Sequence, residues 1–504
     1  MTVVATPVRR RWAALAVLSA SLLLVVIDIT LLNVALPAIS EDLRPGAVQL
    51  LWMVDVYALV VAGLLVTVSA LGDRWGRKRM LITGFAVFGA ASTAILWAHS
   101  PGAVIAVRAL LGVGGAMIMP STLSLIRTLF TDARERATAL GVWAAMAAVG
   151  SALGPIVGGL LLERFSWQAA FLVNVPVMVV AIVAGVFLLP ESRNPRPGRW
   201  DALGTVLSIA GMVALVYAIK RISEYGLADA ASLVSLAVAV AGLGWFVARC
   251  LRRPDPLLEI RLLRRPSFSA GTITALTTEI AMAGMMLLLA QWMQLVQGYT
   301  PLETGVRLLP AALAALVVSP LAPSIATRVG ARPVLAGGLV IVGLGLAVVA
   351  VNPTGYLPMA ISLVLIGLGM GSLAIASAVI MAGAPPEKAG SAAAIEETSY
   401  EVGGALGVAV LGSIAAAVYR SGLPLDALAA QGVTGSAAST VRESIGGALT
   451  VASQAGSGVA GLARQAFTDS LAVTCAAGAV IALIAAVGVW LLTPRDLDLS
   501  SSQH

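Results

Sequence analysis

Apolar residues form long runs along almost the whole chain, and polar residues are concentrated in the short segments between these runs. A helix needs about 20 mostly apolar residues to cross the hydrocarbon core of a bilayer. Fourteen runs come close to that length, so the pattern predicts fourteen transmembrane helices, which we number as spans 1 to 14. They lie near residues 13–37, 49–71, 80–98, 102–125, 137–161, 168–189, 202–221, 231–248, 268–296, 304–326, 333–351, 357–382, 392–418 and 470–492.

The composition agrees with a polytopic membrane protein. Of the 504 residues, 59% are hydrophobic and only 11% are charged, proportions that a soluble domain does not have. Two histidines and two cysteines are too few to indicate a metal site of the usual His and Cys type. The chain also lacks the phosphate-binding motif GxxxxGK followed by Ser or Thr, so ATP hydrolysis is not expected. We therefore expect no enzyme activity, no metal and no cofactor.

The basic residues predict the orientation of the spans. With the N-terminus in the cytoplasm, 23 of the 32 basic residues fall on cytoplasmic loops and helix ends, eight on external ones and one, Arg108, inside a span. Cytoplasmic loops retain Lys and Arg, so this orientation is favoured and places both termini in the cytoplasm. The net charge of +7 then follows from topology, and we expect membrane lipids rather than a nucleic acid as partners. Arg outnumbers Lys by 29 to 3, which indicates a GC-rich bacterial genome and a bacterial cytoplasmic membrane.

An internal repeat relates the two ends of the chain. The segment DRWGRKRMLITG from Asp73 matches TRVGARPVLAGG from Thr327 at an offset of 254 residues. The segment GSALG from Gly150 matches GGALG from Gly403 at an offset of 253 residues. Spans 3 and 5 therefore correspond to spans 11 and 13, which leaves six spans in each half and two extra spans between the halves.

This repeat predicts an all-α polytopic membrane fold with two six-helix halves and two inserted helices. Parallel halves of this kind enclose a substrate site near the middle of the membrane and move around it. The predicted units are an N-terminal half at 1–195, two linking spans at 196–255, and a C-terminal half at 256–504 that contains a long external loop at 420–469. Apolar residues at helical spacing indicate short helices in that loop, which is interpreted either as a lid or as a tolerated surface loop.

Five motifs occur in order along the chain. They are Asp28 to Pro37 (DITLLNVALP) in span 1, Gly72 to Arg79 (GDRWGRKR) after span 2, Arg108 with Gly112, Gly114 and Gly115 in span 4, Gly154-Pro155 in span 5, and Ser166, Trp167, Phe171, Asn174 and Pro176 at the start of span 6. Together they resemble the major facilitator superfamily and its fourteen-helix drug/proton antiporter branch, with its QacA-like and LfrA-like pumps. One position departs from the pattern, because Ser69 stands where the motif after span 2 usually begins with Gly, and we expect looser packing there.

Span 1 and span 4 of the first half each contain an ionisable residue, Asp28 and Arg108. Asp28 is about fifteen residues into span 1, or roughly 23 Å at about 1.5 Å per residue. A carboxyl group there can exchange a proton for a drug cation, so we predict that Asp28 couples transport to protons. The alternative is a structural hydrogen bond to a neighbouring helix. For Arg108 the resemblance implies a proton relay or a partner for an acid, and the alternative is an arginine that only fixes helix contacts.

Five more residues are candidates for binding an organic cation by charge or by an aromatic face. In span 2 these are Asp55, Trp52 and Tyr57, although Trp52 also fits an interfacial anchor. In span 13, Glu397 and Glu401 are four residues apart and share one helix face. Their alternative interpretation is plain solvated charge in an external vestibule.

Two further residues of the second half, Glu396 and Gln291, are candidates for the same pocket. Glu396 is turned about 100° away from Glu397 on the same helix and is a weaker candidate. Gln291 lies in span 9 among Met282, Met285, Met286, Trp292 and Met293, a stripe that fits either an adaptable pocket or core packing. Glu279, also in span 9, receives no predicted role.

Two segments are candidates for conformational change. Asp73, Arg74, Gly76 and Arg77 after span 2 fit a latch in which Asp73 pairs with Arg77 and faces the N-terminus of a neighbouring helix. The alternative is that these charges only set the topology. In span 5 the candidates are Gly150, Gly154, Pro155, Gly158 and Gly159, where small residues permit close helix approach and Pro155 removes a backbone hydrogen bond. Their alternative is a static packing seam.

The function predicted from these features is proton-coupled multidrug efflux by a monomer. Its substrates would be lipophilic cationic drugs, dyes and quaternary ammonium compounds, and its effect would be antibiotic resistance. Three alternatives remain open: a proton-coupled metabolite transporter, an exporter of lipids or envelope precursors, and a drug sensor that does not transport.

Overall fold

The computed structural model describes residues 8–45, 47–162, 164–193, 201–226, 228–455 and 457–495. All regular secondary structure in these ranges is helical. The α-helices are α1 (Val8–Leu43), α2 (Ala47–Trp75), α3 (Arg77–Ala94), α4 (Pro101–Leu129), α5 (Ala133–Leu162), α6 (Trp167–Phe171), α7 (Asn174–Leu188), α8 (Ala202–Tyr225), α9 (Ala230–Arg252), α10 (Pro266–Gln291), α11 (Pro301–Val329), α12 (Ala331–Val351), α13 (Tyr356–Gly369), α14 (Gly371–Ala382), α15 (Ala389–Ser421), α16 (Leu425–Ala429), α17 (Gly435–Glu443), α18 (Ile445–Ala455) and α19 (Ser457–Leu492).

The prediction of fourteen membrane spans is confirmed. Within the described ranges, fourteen helical segments are long and apolar enough to cross a bilayer. Helices α1 to α5 supply spans 1 to 5, α6 with α7 supplies span 6, and α8 and α9 supply spans 7 and 8. Helices α10, α11 and α12 supply spans 9 to 11, α13 with α14 supplies span 12, α15 supplies span 13, and α19 supplies span 14.

We refer to α1–α7 as the first half and to α10–α19 as the second half. The halves pack against each other where α5 runs along α11 and where α2 meets α15. Helices α8 and α9 pack as a pair, and α8 also contacts both α2 and α15. The inserted pair therefore lies beside one of the two seams between the halves. We call the end of the bundle where α1 begins the inner end, and the opposite end the outer end.

The segment before α19 forms three short helices, as its apolar spacing predicted. Its residues Val441 and Ile445 are buried in one cluster with Trp292 at the outer part of the second half. The Tyr419 hydroxyl donates a hydrogen bond to the Val441 carbonyl oxygen at 3.0 Å. Helix α19 begins at Ser457, well before the predicted start of span 14. Hydropathy registers only the apolar part of this helix, whereas packing of Phe467 and its neighbours extends it beyond that part.

Candidate functional site

An ion pair between α1 and α4 is sealed inside the first half. The Asp28 Oδ2 and Arg108 Nη1 atoms are 2.8 Å apart, and both side chains are at most 1% exposed. The Asn174 side-chain amide donates to Asp28 Oδ1 at 2.7 Å and to Ser92 Oγ at 3.1 Å. The Arg108 guanidinium lies 4.7 Å from the centre of the Tyr57 ring. Arg108 and Asn174 contact the carboxylate directly, and Tyr57 and Ser92 contact these two side chains, so five helices contribute to one buried cluster.

Sequence reasoning proposed both charged residues of this pair but did not join them. Asp28 is 80 residues from Arg108 and 146 residues from Asn174 along the chain. Asn174 was noticed only as part of a motif, and the signal that identifies it is a polar amide at the start of a very apolar helix. The contacts are compatible with a proton-coupling pair and with a structural pair, so the coupling role stays a prediction.

A second polar cluster lies on α15. Glu396 and Glu397 are both completely buried. The Tyr400 hydroxyl donates to Glu396 Oε1 at 2.8 Å, and the Ser377 hydroxyl of α14 donates to the same oxygen. The Glu397 carboxylate accepts no hydrogen bond from any described residue. Glu396 is therefore held by hydrogen bonds within the second half, while Glu397 has no hydrogen-bond donor among the described residues.

Glu397 faces other acids and the first half. Glu279 of α10 and Glu401 of α15 lie within electrostatic range of its carboxylate. Tyr57 of the first half lies within range of both Glu397 and Glu401. Gly403 allows α10 and α15 to approach closely, since a Cβ atom there would come within 2.9 Å of the Glu279 Cβ. Acidic groups placed together in a low-dielectric interior require protons or a cation to offset their repulsion.

The candidates of α2 do not share one surface. Asp55 forms an ion pair with Lys220 of α8. Trp52 stacks on Tyr217 of α8, with ring centres 6.4 Å apart and an interplanar angle of 19°. Tyr57 faces Arg108 instead. A joint role of Asp55, Trp52 and Tyr57 in cation binding stays a prediction. Sequence reasoning missed both partners on α8, Lys220 and Tyr217.

An apolar cavity of about 500 Å³ opens beside these partners, between α2, α8 and α9. Trp52 and Tyr217 line it together with Leu59, Val213 and Val238. Within the described ranges, no group of three or more His, Cys, Asp or Glu side chains is placed to hold a metal ion. The cavity itself offers aromatic and apolar faces, and the Asp55 carboxylate lies on the same helix as Trp52, three residues further along the chain.

Gln291 and Met293 lie at the outer end of span 9, and Met285 lies further inward on α10. Gln291 is half-buried and is the last residue of α10 before a π-helical turn, Trp292–Val296. The Trp292 indole donates to Thr468 Oγ1 at 3.2 Å. Met285 and Met293 are buried in the apolar cluster of the second half. These two methionines therefore pack in the core, and the binding role of Gln291 stays a prediction.

The predicted latch lies at the inner end of α2. Asp73 accepts two hydrogen bonds from Arg77, at 2.7 and 3.0 Å. The Asp73 carboxylate touches the position that a Cβ atom of Gly390 would occupy, so it faces the positive N-terminal end of α15. Ser69 is buried, and its hydroxyl donates to the Gly390 carbonyl oxygen at 2.6 Å. The expectation of looser packing at Ser69 is wrong, because this hydroxyl joins the two halves.

Two other members of the latch shape the turn that follows. Gly76 has a φ angle of 117°, which favours glycine, and lets α3 begin directly after α2. A Cβ atom there would come within 2.5 Å of the Glu191 carboxylate, which accepts a hydrogen bond from the Lys78 backbone amide at 3.3 Å. Arg74 lies in the last turn of α2. Sequence reasoning missed Glu191.

The glycines of α5 allow it to pack tightly against α1 on one face and α11 on another. A Cβ atom at Gly150 would come within 3.0 Å of the Leu23 carbonyl oxygen, and one at Gly154 would overlap the Thr30 hydroxyl. Gly158 also faces α1, and Gly159 faces α11. Helix α5 continues through Pro155, which contacts α11 at Gly305. The segment therefore forms a close seam, and its movement stays a prediction.

Comparison with known proteins gives consistent results. The family profile described as Major Facilitator Superfamily matches residues 18–408. The multidrug efflux pump LfrA of Mycolicibacterium smegmatis is 42% identical over 487 residues, which cover 95% of this chain and 96% of that protein. The methyl viologen resistance protein SmvA of Salmonella typhimurium is 35% identical over 486 residues, covering 95% and 98%. The puromycin resistance protein pur8 of Streptomyces alboniger is 36% identical over 419 residues, covering 81% and 82%.

A solved structure has a similar fold. The crystal structure of the human organic anion transporter MFSD10 (TETRAN) superposes with a TM-score of 0.64 and covers 96% of this chain and all of that chain. The two sequences are 13% identical, so this likeness concerns the fold alone.

Proposed function

The chain belongs to the Major Facilitator Superfamily of membrane transporters, and we propose that it exports lipophilic cationic drugs, dyes and quaternary ammonium compounds in exchange for protons. It would act in a bacterial cytoplasmic membrane, with the inner end of the bundle and both termini in the cytoplasm. The relatives named for multidrug efflux and for methyl viologen resistance support drug export. Methyl viologen is an organic dication, so the second name also supports a cationic substrate.

The buried Asp28–Arg108 pair is the observation that carries the proton-coupling part of the proposal. A carboxylate sealed from water keeps its charge only while its partners compensate it. A proton on Asp28 removes the charge that holds Arg108, so the guanidinium is freed to turn toward other acceptors. Tyr57 lies against this guanidinium and within electrostatic range of Glu397 and Glu401, which links the pair to the acids of the second half.

Those acids support the choice of substrate. A lipophilic cation placed between the halves would neutralise Glu397 and Glu401, and protons would replace it after release. Proton entry supplies the energy: each unit of pH gradient contributes about 1.4 kcal/mol per proton. A membrane potential adds roughly 2.3 kcal/mol per 100 mV for each charge by which the entering protons exceed the exported cation. In this scheme Asp28 binds the coupling proton, and Glu397 and Glu401 bind the drug.

Transport in liposomes tests the proposal. The purified protein is reconstituted, a proton gradient is imposed, and ethidium movement is followed for the wild type and for Asp28→Asn. Gradient-driven dye transport that is lost in Asp28→Asn supports drug/proton antiport through Asp28. A folded wild-type protein that moves no dye contradicts the proposal and favours a metabolite or lipid substrate, and dye binding without movement favours a sensor.

A further inference from the structure

Lys220 is a cation that the inserted helix α8 places between the halves. It is one of only three lysines in a chain that contains 29 arginines. Its ammonium group pairs with Asp55 of α2, in the first half. It also lies within electrostatic range of Glu401 of α15, in the second half. A single side chain of α8 thus attracts one carboxylate from each half.

The packing of α8 fixes this position. Leu59 and Ala62 of α2 form one apolar cluster with Met212 and Val216 of α8, and Val402 of α15 packs against the same cluster. Gly63 of α2 lets α8 approach, because a Cβ atom there would come within 2.8 Å of Val213. The backbone of α8 is therefore held against both halves beside their seam, while the lysine stem remains long enough to move its charge.

We propose that Lys220 is a built-in competitor of the cationic substrate: it neutralises Asp55 and Glu401 in the empty transporter, and an incoming organic cation displaces it. The inference rests on the proposed function, since it assumes that cations bind among these acids. Through Lys220, the inserted helix pair then regulates how strongly the site attracts positive charge.

The surroundings of Lys220 suit such an exchange. Its side chain is 31% exposed and that of Asp55 is 26% exposed, so the pair is accessible and is not sealed like Asp28–Arg108. The stacked rings of Trp52 and Tyr217 lie on the same two helices and line the apolar cavity of about 500 Å³. A planar organic cation could place its charge near Asp55 and its rings against these aromatic faces. The ammonium of Lys220 opposes that placement by occupying the carboxylate.

Equilibrium binding of ethidium to the purified full-length protein tests the inference. Lys220→Met removes the competing charge, so its Kd should fall by about fivefold to tenfold, the effect of one like charge a few ångströms from the bound cation. Asp55→Asn leaves the lysine without its partner and adds positive charge to the site, so its Kd should rise by a similar factor. The double variant Asp55→Asn with Lys220→Met should return to within about twofold of wild type.

Opposite shifts distinguish competition from a purely structural bridge. If the pair only held α2 to α8, both single variants would weaken binding, and that result would overturn the inference. Unchanged affinity in Lys220→Met would overturn it as well. Lys220→Gln, which keeps a hydrogen-bond donor toward Asp55, gives the same test should Lys220→Met fail to fold.

Lys388→Met is the matched control. Lys388 is 30% exposed and pairs with Glu259 at 3.6 Å near the inner end, away from the proposed site, so its removal should leave the ethidium Kd unchanged. A wild-type protein that binds no ethidium and no methyl viologen would refute the proposed function together with the inference. Wild-type binding with no change in Lys220→Met would refute the inference alone.

Discussion

Replacement of Asp28 by asparagine perturbs one buried charge with almost no change in side-chain shape. In the wild type, Asp28 pairs with Arg108 at 2.8 Å and accepts from Asn174 at 2.7 Å, with both ionic side chains at most 1% exposed. The asparagine side chain retains an oxygen that can accept from Arg108, but the positive charge is no longer compensated. We therefore expect two effects, one on stability and one on coupling.

The stability effect follows from burial. Removing one partner of a buried ion pair typically costs about 3–5 kcal/mol, because an uncompensated charge is left inside. Asp55→Asn is the control, since its pair is about one quarter exposed and its loss should cost less than about 1 kcal/mol. Unfolding in mixed micelles measures both values. Equal losses in the two variants would refute the reasoning that burial makes the Asp28 pair important.

The coupling effect is separate from stability and is measured in liposomes. A gradient of two pH units supplies about 2.7 kcal/mol per proton, so a one-for-one exchange supports at most about a hundredfold ethidium gradient. The asparagine amide does not titrate in this pH range. In Asp28→Asn the ratio of ethidium concentrations across the membrane should therefore fall to about one, while ethidium binding persists. Dye-for-dye exchange without a proton gradient provides the control for correct folding. A folded Asp28→Asn protein that still concentrates dye would exclude Asp28 as the coupling residue.

Three further predictions test the remaining contacts. Gly154→Ala should cost about 1–3 kcal/mol of stability, because the added methyl group overlaps the Thr30 hydroxyl. Adding Thr30→Ala should restore much of that loss. A double variant as unstable as Gly154→Ala alone would argue against the α1–α5 seam. Ser69→Ala should cost about 1 kcal/mol by removing the hydrogen bond that its hydroxyl donates to the Gly390 carbonyl oxygen, and a thermal midpoint equal to wild type would contradict that contribution. Arg108→Lys keeps the charge but loses the planar guanidinium, so gradient-driven ethidium transport should fall at least about tenfold, whereas full transport would indicate simple charge balance.

Much of the architecture was accessible from the sequence. Fourteen apolar runs gave fourteen spans, because a bilayer forces backbone polar groups into helices of a narrow length range. Short helices between α15 and α19 followed from apolar spacing. The start of α19 did not, because hydropathy registers only the membrane-spanning part of a longer helix.

The candidate site was only partly accessible. Charged residues inside apolar runs are conspicuous, and this singled out Asp28, Arg108 and the glutamates of α15. Lys220 was overlooked because it lies near the end of its span, where a lysine usually serves only to anchor the helix at the interface. Ser69 was misjudged because its hydroxyl finds its acceptor 321 residues away.

The sequence alone determined which segments cross the membrane and which charges the membrane must accommodate, since both depend on local composition and helix length. Asp73 and Arg77 lie one helical turn apart, so their pairing was also predictable, but only the tertiary structure decided which charges meet between helices. Asp55 reaches Lys220 across 165 residues, and Glu396 turns toward Ser377 while Glu397 faces the interior. Helical periodicity fixes the face on which a side chain lies, but the neighbour opposite that face depends on how all the helices pack, and that packing arises from contacts far apart in the chain.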